Sequence, residues 1–380
     1  QKGINMKRIM FLAFIGVTVF FHAANANQGI KDNEVVLCQA APYSGLLAAA
    51  NSESTSGARA YFEWVNKRGG VSGRKIRLET RDDKQDPKLT LELTQQLVDK
   101  GCFALFMYRT SPSLQAILPL VNSQSIPLVA PQVGPQFLYD DTNKTIFNIR
   151  ASYREEVTRA IEQLVSTGIS RIALVHATDA FGQEGVAGVD EARKKFKFDI
   201  VGKQALDNRS PEVQAAVDMI VSTAPQASLI VMGNKPTAEI VKRVKAKGVY
   251  SQFITLSNNS SQAFVDELGK DGHGVMVVQV IPHPQSAWIG LTKEYIKLQK
   301  ESPNLKLSYG SYLGFISAKF FVEGLKRSGK NLTRERFVDS LSAAREIDLG
   351  GLTISTAGNL GRTGTFIELT MIGRNGQFIR

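Results

Sequence analysis

The chain is poor in the residues and motifs that most catalytic sites use. Among 380 residues there are four His and two Cys, and none of the motifs Gly-x-Ser-x-Gly, His-Glu-x-x-His or Cys-x-x-Cys occurs. His176, His273 and His283 are scattered along the sequence without the spacing of metal ligands. We therefore expect no enzyme, no metal site and no bound cofactor.

One segment, from Gly324 to Lys330, has the spacing of a phosphate-binding loop. Asn331 stands where that loop needs the Ser or Thr hydroxyl that holds magnesium, and the segment follows a predicted helix rather than a strand. Gly329 and its flanking cations instead predict the end of a helix.

The apolar run near the start of the chain is short. It extends over thirteen residues, from Ile9 to Phe21, whereas roughly 20 are needed to span a bilayer. Lys7 and Arg8 precede it and a small-x-small pattern ends at Ala26, as in a secretory signal peptide. We predict export to the periplasm with cleavage near Ala26, a membrane anchor being the alternative. Residues 1–5 are interpreted as an upstream extension of the signal peptide.

Acidic residues are outnumbered by basic ones, 35 against 46, which gives a net charge of +11. Residues 1–26 carry three cations and no acidic residue, so their removal would leave +8. The cations are interleaved with Asp and Glu, without a basic stripe and spaced aromatics, and this argues against nucleic-acid binding. The length suffices for two globular domains, and a monomer is expected.

Only two cysteines, Cys38 and Cys102, remain after the predicted cleavage. An exported protein meets oxidising conditions, in which disulfides persist. A disulfide between them is feasible if their strands are neighbours. The alternative is two separate buried thiols, and the geometry of the two residues decides between these possibilities.

Short buried strands alternate with amphipathic helices along most of the chain. A strand at 35–40 is followed by a small-residue loop to Gly57 and a helix that starts at Ala58. The alternation restarts after residue 152, and this predicts two lobes, each with a parallel sheet covered on both faces. Two longer helices near 288–301 and 309–328, then strands at 351–355 and 364–372, suggest that the chain returns to the first lobe.

The stretch 103–135 reads as strand, loop, helix, strand and loop. Loops after the carboxyl ends of parallel strands face a common crevice, to which the next helix presents unpaired N–H groups. Thr110 and Ser111 are therefore predicted to hold an anionic group, with a plain N-cap role as the alternative for Ser111.

Several motifs together resemble the periplasmic leucine/isoleucine/valine-type binding proteins of ABC importers. They are the pattern Asn66-x-x-Gly-Gly-x-x-Gly73, the later Asp82-Asp83 and Asp86-Pro87, and Asp179-Ala-Phe-Gly182. The resemblance continues through the Thr110–Ser111 loop, residues 150–153 and the helix at 309–329, and it covers nearly the whole mature chain.

The resemblance implies a two-lobed α/β receptor of the type I periplasmic binding fold, in which each lobe is a three-layer sandwich around a parallel sheet. Three crossovers are expected near 148–152, 280–284 and 359–364. Lobe 1 would then comprise 27–149 with 282–358, and lobe 2 would comprise 150–281 with 359–380.

By the same analogy, Ser111 and backbone groups near Gln132 and Val133 would hold a ligand carboxylate. The other predicted ligand-binding residues are Thr110, Tyr153, Phe181, Asn234, Ser257 and Asn258, with Arg109 and Asn51 as further candidates.

The sequence departs from the family at positions that contact ligand. Ala50 or Asn51 stands in place of an aromatic residue, Gly134 in place of a hydroxyl residue, and Ser257-Asn258 in place of the acidic residue that takes an ammonium group. A buried ammonium without an ion partner is costly, so leucine, isoleucine and valine are doubtful ligands. We expect a receptor that delivers an amino-acid-like or other carboxylate to an inner-membrane ABC permease. The alternative is a periplasmic ligand sensor that acts through a signalling partner.

Overall fold

The computed structural model describes residues 28–140, 142–209, 212–356 and 366–380. The predicted signal peptide (1–26) and the third predicted crossover (359–364) lie outside these residues. The described chain forms two separate sheets of mostly parallel strands with helices between the strands, so the predicted two-lobed α/β fold class is confirmed.

The first sheet has five parallel strands in the order β2-β1-β3-β4-β5. They are β1 (Glu34–Ala41), β2 (Lys75–Asp82), β3 (Ala104–Phe106), β4 (Leu128–Val129) and β5 (Ile146–Phe147). Between them lie α1 (Ala48–Lys67), α2 (Pro87–Asp99) and α3 (Ser111–Ser123). Asp86 caps α2 by accepting hydrogen bonds from the N–H groups of Lys88 and Leu89, with Pro87 in the first helical turn.

The second sheet continues the alternation with five further strands. They are β6 (Arg171–Ala177), β7 (Asp199–Leu206), β8 (Ala227–Val231), β9 (Gln252–Thr255) and β10 (Met276–Gln279). The associated helices are α4 (Tyr153–Ser166), α5 (Ala180–Arg193), α6 (Gln214–Thr223), α7 (Asn234–Ala246) and α8 (Gln262–Leu268).

The last part of the chain contributes helices that pack on the first sheet and strands that extend the second sheet. Three helices, α9 (Gly290–Glu301), α10 (Tyr309–Ser328) and α11 (Arg334–Ala344), precede a small antiparallel pair, β11 (Glu346–Asp348) and β12 (Thr353–Ser355). Then β13 (Glu368–Ile372) pairs antiparallel with β10, and β14 (Phe378–Ile379) pairs with β13. The second sheet therefore has the order β14-β13-β10-β9-β8-β6-β7.

Alternate residues of β1 point into different hydrophobic clusters, as the period of two in a strand requires. Val36 and Cys38 pack with α2 and α3, whereas Val35 and Leu37 pack with α1 and α10. Helices thus cover both faces of the first sheet. The residue bounds predicted for the two lobes remain a prediction.

Phe321 of α10 shows how the late helices reach the first sheet. Its ring lies 6.2 Å from that of Phe62 on α1 and 6.1 Å from that of Phe106 on β3. The chain therefore returns to the first sheet after β10, as the sequence suggests. α10 ends at Ser328, with Gly329 at φ +71°, so the glycine there ends a helix, as predicted.

The start of α1 differs from the prediction. The helix begins at Ala48, ten residues before Ala58, because the run from Ala48 to Ala50 has the highest helix propensity. Gly57 lies inside the helix and not in a loop. A Cβ atom there would stand 1.8 Å from the backbone oxygen of Ser311, so this glycine permits close packing of α1 on α10.

Cys38 and Cys102 are joined by a disulfide, with their Cα atoms 5.9 Å apart. Cys38 lies on β1, whose neighbour β3 begins two residues after Cys102, and the register pairs Cys38 with Leu105. Both residues are buried.

Candidate ligand-binding cleft

The carboxyl ends of strands from both sheets face a common cavity of about 270 Å³. This main cavity brings together most of the predicted site residues: Arg109, Thr110, Ser111, Gln132, Val133, Tyr153, Phe181 and Asn258. It is also lined by residues that were not predicted to bind ligand, namely Leu47, Gln85, Pro87, Pro112, Thr178, Asp179, Asp207, Asn208, Arg209 and Gly233.

The two hydroxyl residues that follow β3, Thr110 and Ser111, make different contacts. Thr110 is the N-cap of α3, with φ at +70°, and its Oγ1 accepts a hydrogen bond from the N–H of Ser113. The Ser111 residue is buried, and its hydroxyl has no partner among the described residues. The capping role proposed as an alternative for Ser111 thus belongs to Thr110.

Arg109 and Gln132 form the next part of the first-lobe wall. Arg109 Nη1 donates to Gln132 Oε1 at 2.8 Å, and Ser54 Oγ donates to the same oxygen at 2.9 Å. Burial lowers the pKa of the Arg109 guanidinium, against the opposing effects of Tyr153 and Glu53. Across the ranges that the structure describes, Arg109 makes no salt bridge.

Both backbone polar groups of Gln132 are already hydrogen-bonded within the protein. Its N–H donates to the carbonyl of Tyr108 at 2.9 Å, and its carbonyl accepts from Arg150 Nη1 at 2.9 Å. The side-chain amide is therefore the group of Gln132 that remains for a ligand.

Two aromatic rings form the opposite wall. Tyr153 at the start of α4 and Phe181 at the start of α5 have ring centroids 4.7 Å apart. Asp179 caps α5 by accepting from the N–H groups of Phe181 and Gly182, and burial raises the pKa of its carboxyl. Burial also raises the pKa of Tyr153 to about 12, so its hydroxyl stays neutral at pH 7.

A buried ion pair lies beneath this wall. Arg150, in the connection between the two sheets, pairs with Glu156 of α4. Ser257, after β9, accepts from Arg150 at 2.9 Å and donates to Glu156 at 3.0 Å, and its N–H donates to Glu156 at 2.8 Å. With its bond to the Gln132 carbonyl, Arg150 links the loop after β4 to the second sheet.

This cleft between two lobes can be compared with known proteins. A sequence profile described as periplasmic binding protein matches residues 34–377, which is most of the chain. The chain belongs to the periplasmic binding protein family.

Individual relatives of this periplasmic binding protein are distant in sequence. The Leu/Ile/Val-binding protein of Citrobacter freundii is 20% identical over 333 residues, 87% of this chain and 88% of the relative. A substrate-binding periplasmic protein from Ralstonia solanacearum has a solved structure with 29% identity and a TM-score of 0.84, covering 90% of this chain and 99% of that one.

A second similar structure was solved with a ligand. It is an ABC transporter solute-binding protein from R. palustris in complex with benzoate, with 17% identity and a TM-score of 0.82, covering 91% of this chain and 95% of that one. The predicted resemblance and the associated transport and binding-protein description are thereby confirmed.

Three predicted residues of this binding protein do not line the main cavity. Asn234 begins α7 and donates from Nδ2 to Ser261 Oγ at 3.0 Å, while its Oδ1 has no partner among the described residues. Ser257 lines a smaller, adjacent cavity. Asn51 lies on α1, on the same helix face as Leu47 and Ser54, and is fully buried with neither side-chain polar atom partnered in the part of the chain described.

Gly134 lies against the connection between the sheets. Its carbonyl accepts from the N–H of Tyr153 at 2.8 Å, and a Cβ atom would stand 2.9 Å from the Ala151 oxygen. A hydroxyl side chain, which the resemblance implies at this position, would not fit here unless the neighbouring backbone shifted.

Sequence reasoning missed the loop after β7 and the role of Arg150. Arg209 lines the main cavity beside Asp207, whose Oδ1 accepts from the Arg209 N–H at 2.8 Å. The Asp207-Asn208 pair, directly after the observed end of β7 at Leu206, is a turn signal that would have pointed to this loop. The Arg150–Ser257 contact joins residues 107 positions apart, and no local pattern reveals it.

No cluster of His, Cys, Asp or Glu suited to a metal occurs among the residues described here. Nor does any described helix combine the length and apolarity needed to cross a membrane.

Proposed function

We propose that this protein is a periplasmic receptor that binds a small organic carboxylate between its lobes and delivers it to an inner-membrane ABC permease. The observation that carries the proposal is Arg109, a partly buried cation that lines the cleft and makes no salt bridge within the described ranges. A cation drawn partly out of water without an ion-pair partner is costly. A bound anion would supply the missing partner.

Ser111 supports the same assignment. Its buried hydroxyl has no partner among the described residues and lies at the N-terminus of α3, where backbone N–H groups favour an anion. Hydroxyl, helix N-terminus and guanidinium line the same side of the main cavity. Together they suit a carboxylate better than a neutral group.

The cleft favours a carboxylate without an α-ammonium group. Ser257 occupies the region where the family's acidic residue is expected, and Glu156 is already paired with Arg150. The two acidic residues that line the main cavity are engaged, Asp179 as a helix cap and Asp207 with Arg209. Leu47, Pro112, Val133 and the two aromatic rings offer an apolar surface for the rest of the ligand, and the relative solved with benzoate binds such a molecule.

The remaining parts of the proposal concern the mature protein. We propose that residues 1–26 are removed on export, that the protein is a monomer without catalytic activity, and that the lobes have the predicted bounds. Uptake of the identified ligand by cells with and without this protein tests delivery to a permease.

A thermal-shift screen followed by calorimetry tests the ligand class. Benzoate and short-chain carboxylates are expected to raise the melting temperature by mass action, with leucine as the amino-acid comparison.

Ser111→Ala should weaken binding by about 1–3 kcal/mol because a charged group loses its donor. Arg109→Met should weaken it by about 2–5 kcal/mol, whereas the matched control Arg336→Met, on the exposed surface of α11, should bind normally. If no carboxylate stabilises the protein, the assignment is wrong.

A further inference from the structure

We propose that a second, inner chamber of the cleft binds an additional oxygen-bearing group of the ligand. The ligand would then be a carboxylate with a second carboxylate, keto or hydroxyl oxygen. This inference rests on the proposed function and deepens it.

The inner chamber adjoins the main cavity. Arg109, Gln132 and Asn258 line both spaces, so one molecule bound between the lobes would reach both. The chamber has a volume of about 30 Å³, which holds about two water-sized groups. It is thus large enough for a carboxylate or a hydroxyl group and too small for a ring.

Four buried polar atoms of the chamber wall lack partners in the described chain. They are Gln132 Nε2, the Tyr309 hydroxyl and the Ser260 hydroxyl, on residues exposed by only 5%, 2% and 9%, and Asn258 Oδ1. Buried polar groups left unpaired cost free energy, so native proteins seldom keep them. The first three groups can donate a hydrogen bond, whereas Asn258 Oδ1 can only accept one.

The orientation of the Gln132 amide follows from its neighbours. Its oxygen accepts from Arg109 and from Ser54. Because a guanidinium can only donate, the amide oxygen has to face Arg109. The amide nitrogen therefore points away from Arg109 and needs an acceptor.

The charges and hydrogen-bond donors that line the chamber favour an oxygen of the ligand over a nitrogen of the ligand. None of its described lining residues is acidic, and two of them, Arg109 and Arg150, are cations. Glu156 pairs with Arg150 but not with Arg109. The spare donors of the chamber outnumber its spare acceptor, and together with the cation Arg109 they suit an acceptor oxygen better than an ammonium group.

Both lobes contribute to the chamber, and this favours a ligand group over trapped water alone. Tyr309 begins α10, which packs on the first sheet, whereas Ser260 follows β9 of the second sheet. The donors therefore converge only when the lobes are close, as they are when a ligand bridges them.

Calorimetry with paired probes tests the inference. The pairs are butanoate with succinate, pentanoate with glutarate, and benzoate with 4-hydroxybenzoate, which differ by one oxygen-bearing group. We expect at least one oxygen-rich probe to bind about tenfold tighter than its plain partner, equivalent to about 1.4 kcal/mol. That ratio should fall several-fold in Tyr309→Phe and in Ser260→Ala, while Tyr250→Phe, at a residue 97% exposed, serves as the matched control.

The outcomes separate the two proposals. If carboxylates bind but every pair binds equally and both variants keep the wild-type ratios, the chamber holds water only and the inference is overturned, while the proposed function stands. If no carboxylate binds at all, both proposals are wrong. Melting temperatures of the variants establish that each is folded, and the use of two independent variants keeps the test valid if one of them is not.

Discussion

The carboxylate of Glu53 accepts hydrogen bonds from the backbone N–H of Gln262, with N–O distances of 3.1 and 3.3 Å to its two oxygens. Glu53 lies on α1, which packs on the first sheet, and Gln262 begins α8, between two strands of the second sheet. Ser308, the N-cap of α10, also donates to Glu53. This contact therefore joins the two lobes directly.

Glu53 should make the stability of the folded protein depend on pH. Burial raises the pKa of its carboxyl above the ordinary value of 4.5, although Ser308, Gln262 and Arg109 oppose the shift. The folded protein then holds a proton that the unfolded chain has released, so this stabilisation is present at low pH and is lost as pH rises through the raised pKa.

Melting temperatures of the wild type and of Glu53→Gln, measured from pH 4.5 to 7.5, test this relation. As pH rises, the melting temperature of the wild type should fall relative to that of Glu53→Gln. Subtraction cancels other groups such as Asp83, whose pKa burial raises to about 6. The exposed Glu63 of the same helix supplies the control variant Glu63→Gln, and identical pH profiles for wild type and Glu53→Gln would contradict the prediction.

Removal of Arg150 should be far more damaging than removal of the whole ion pair. Arg150→Met leaves Glu156 charged and buried, which typically costs about 3–5 kcal/mol. Combining it with Glu156→Leu should restore most of the lost stability because no uncompensated charge remains. Urea unfolding of both variants measures the difference, and equal losses in the single and double variants would count against the argument.

The disulfide should contribute substantially to the stability of the first lobe. It joins residues 64 positions apart, and a closed loop of that length is expected to stabilise the fold by about 4 kcal/mol by restricting the unfolded chain. Replacement of both residues, Cys38→Ala with Cys102→Ala, should lower the unfolding midpoint accordingly. A reducing agent should lower the midpoint of the wild type but leave that of the double variant unchanged.

Gly57→Ala should destabilise the packing of α1 on α10, even though alanine is the better helix former. The added Cβ atom would meet the backbone oxygen of Ser311 at 1.8 Å, and backbone cannot rotate away as a side chain can. We expect a loss of about 1–3 kcal/mol or more. Ser56→Ala, at the exposed neighbouring position, should have little effect. A Gly57→Ala variant as stable as the wild type would rule out the close approach.

The strand and helix alternation was predictable because parallel strands buried on both faces have a strong local signature. β1 illustrates this, since all its residues from Val35 onward are buried. The start of α1 was not predictable in this way, since Gly57 has the appearance of a turn residue until α10, some 250 residues later in the chain, is placed beside it.

The cleft was predictable where it follows from sheet geometry. Thr110, Ser111 and Phe181 lie at the starts of the helices that follow β3 and β6, and the carboxyl ends of parallel strands converge. The hydrogen-bond partners were not predictable, because they depend on contacts distant in sequence. Ser257 was expected in the ligand site, but long-range bonds to Arg150 and Glu156 occupy its hydroxyl.

The bridge between Cys38 and Cys102 leaves no reactive thiol in the described chain, and it joins β1 to the residues just before β3 in the first lobe. Fluorescent labels would therefore attach only where a cysteine is introduced. Glu92→Cys on α2 and Lys235→Cys on α7, both at exposed positions, would place one dye on each lobe. The energy transfer between the dyes would then follow opening and closing in single molecules.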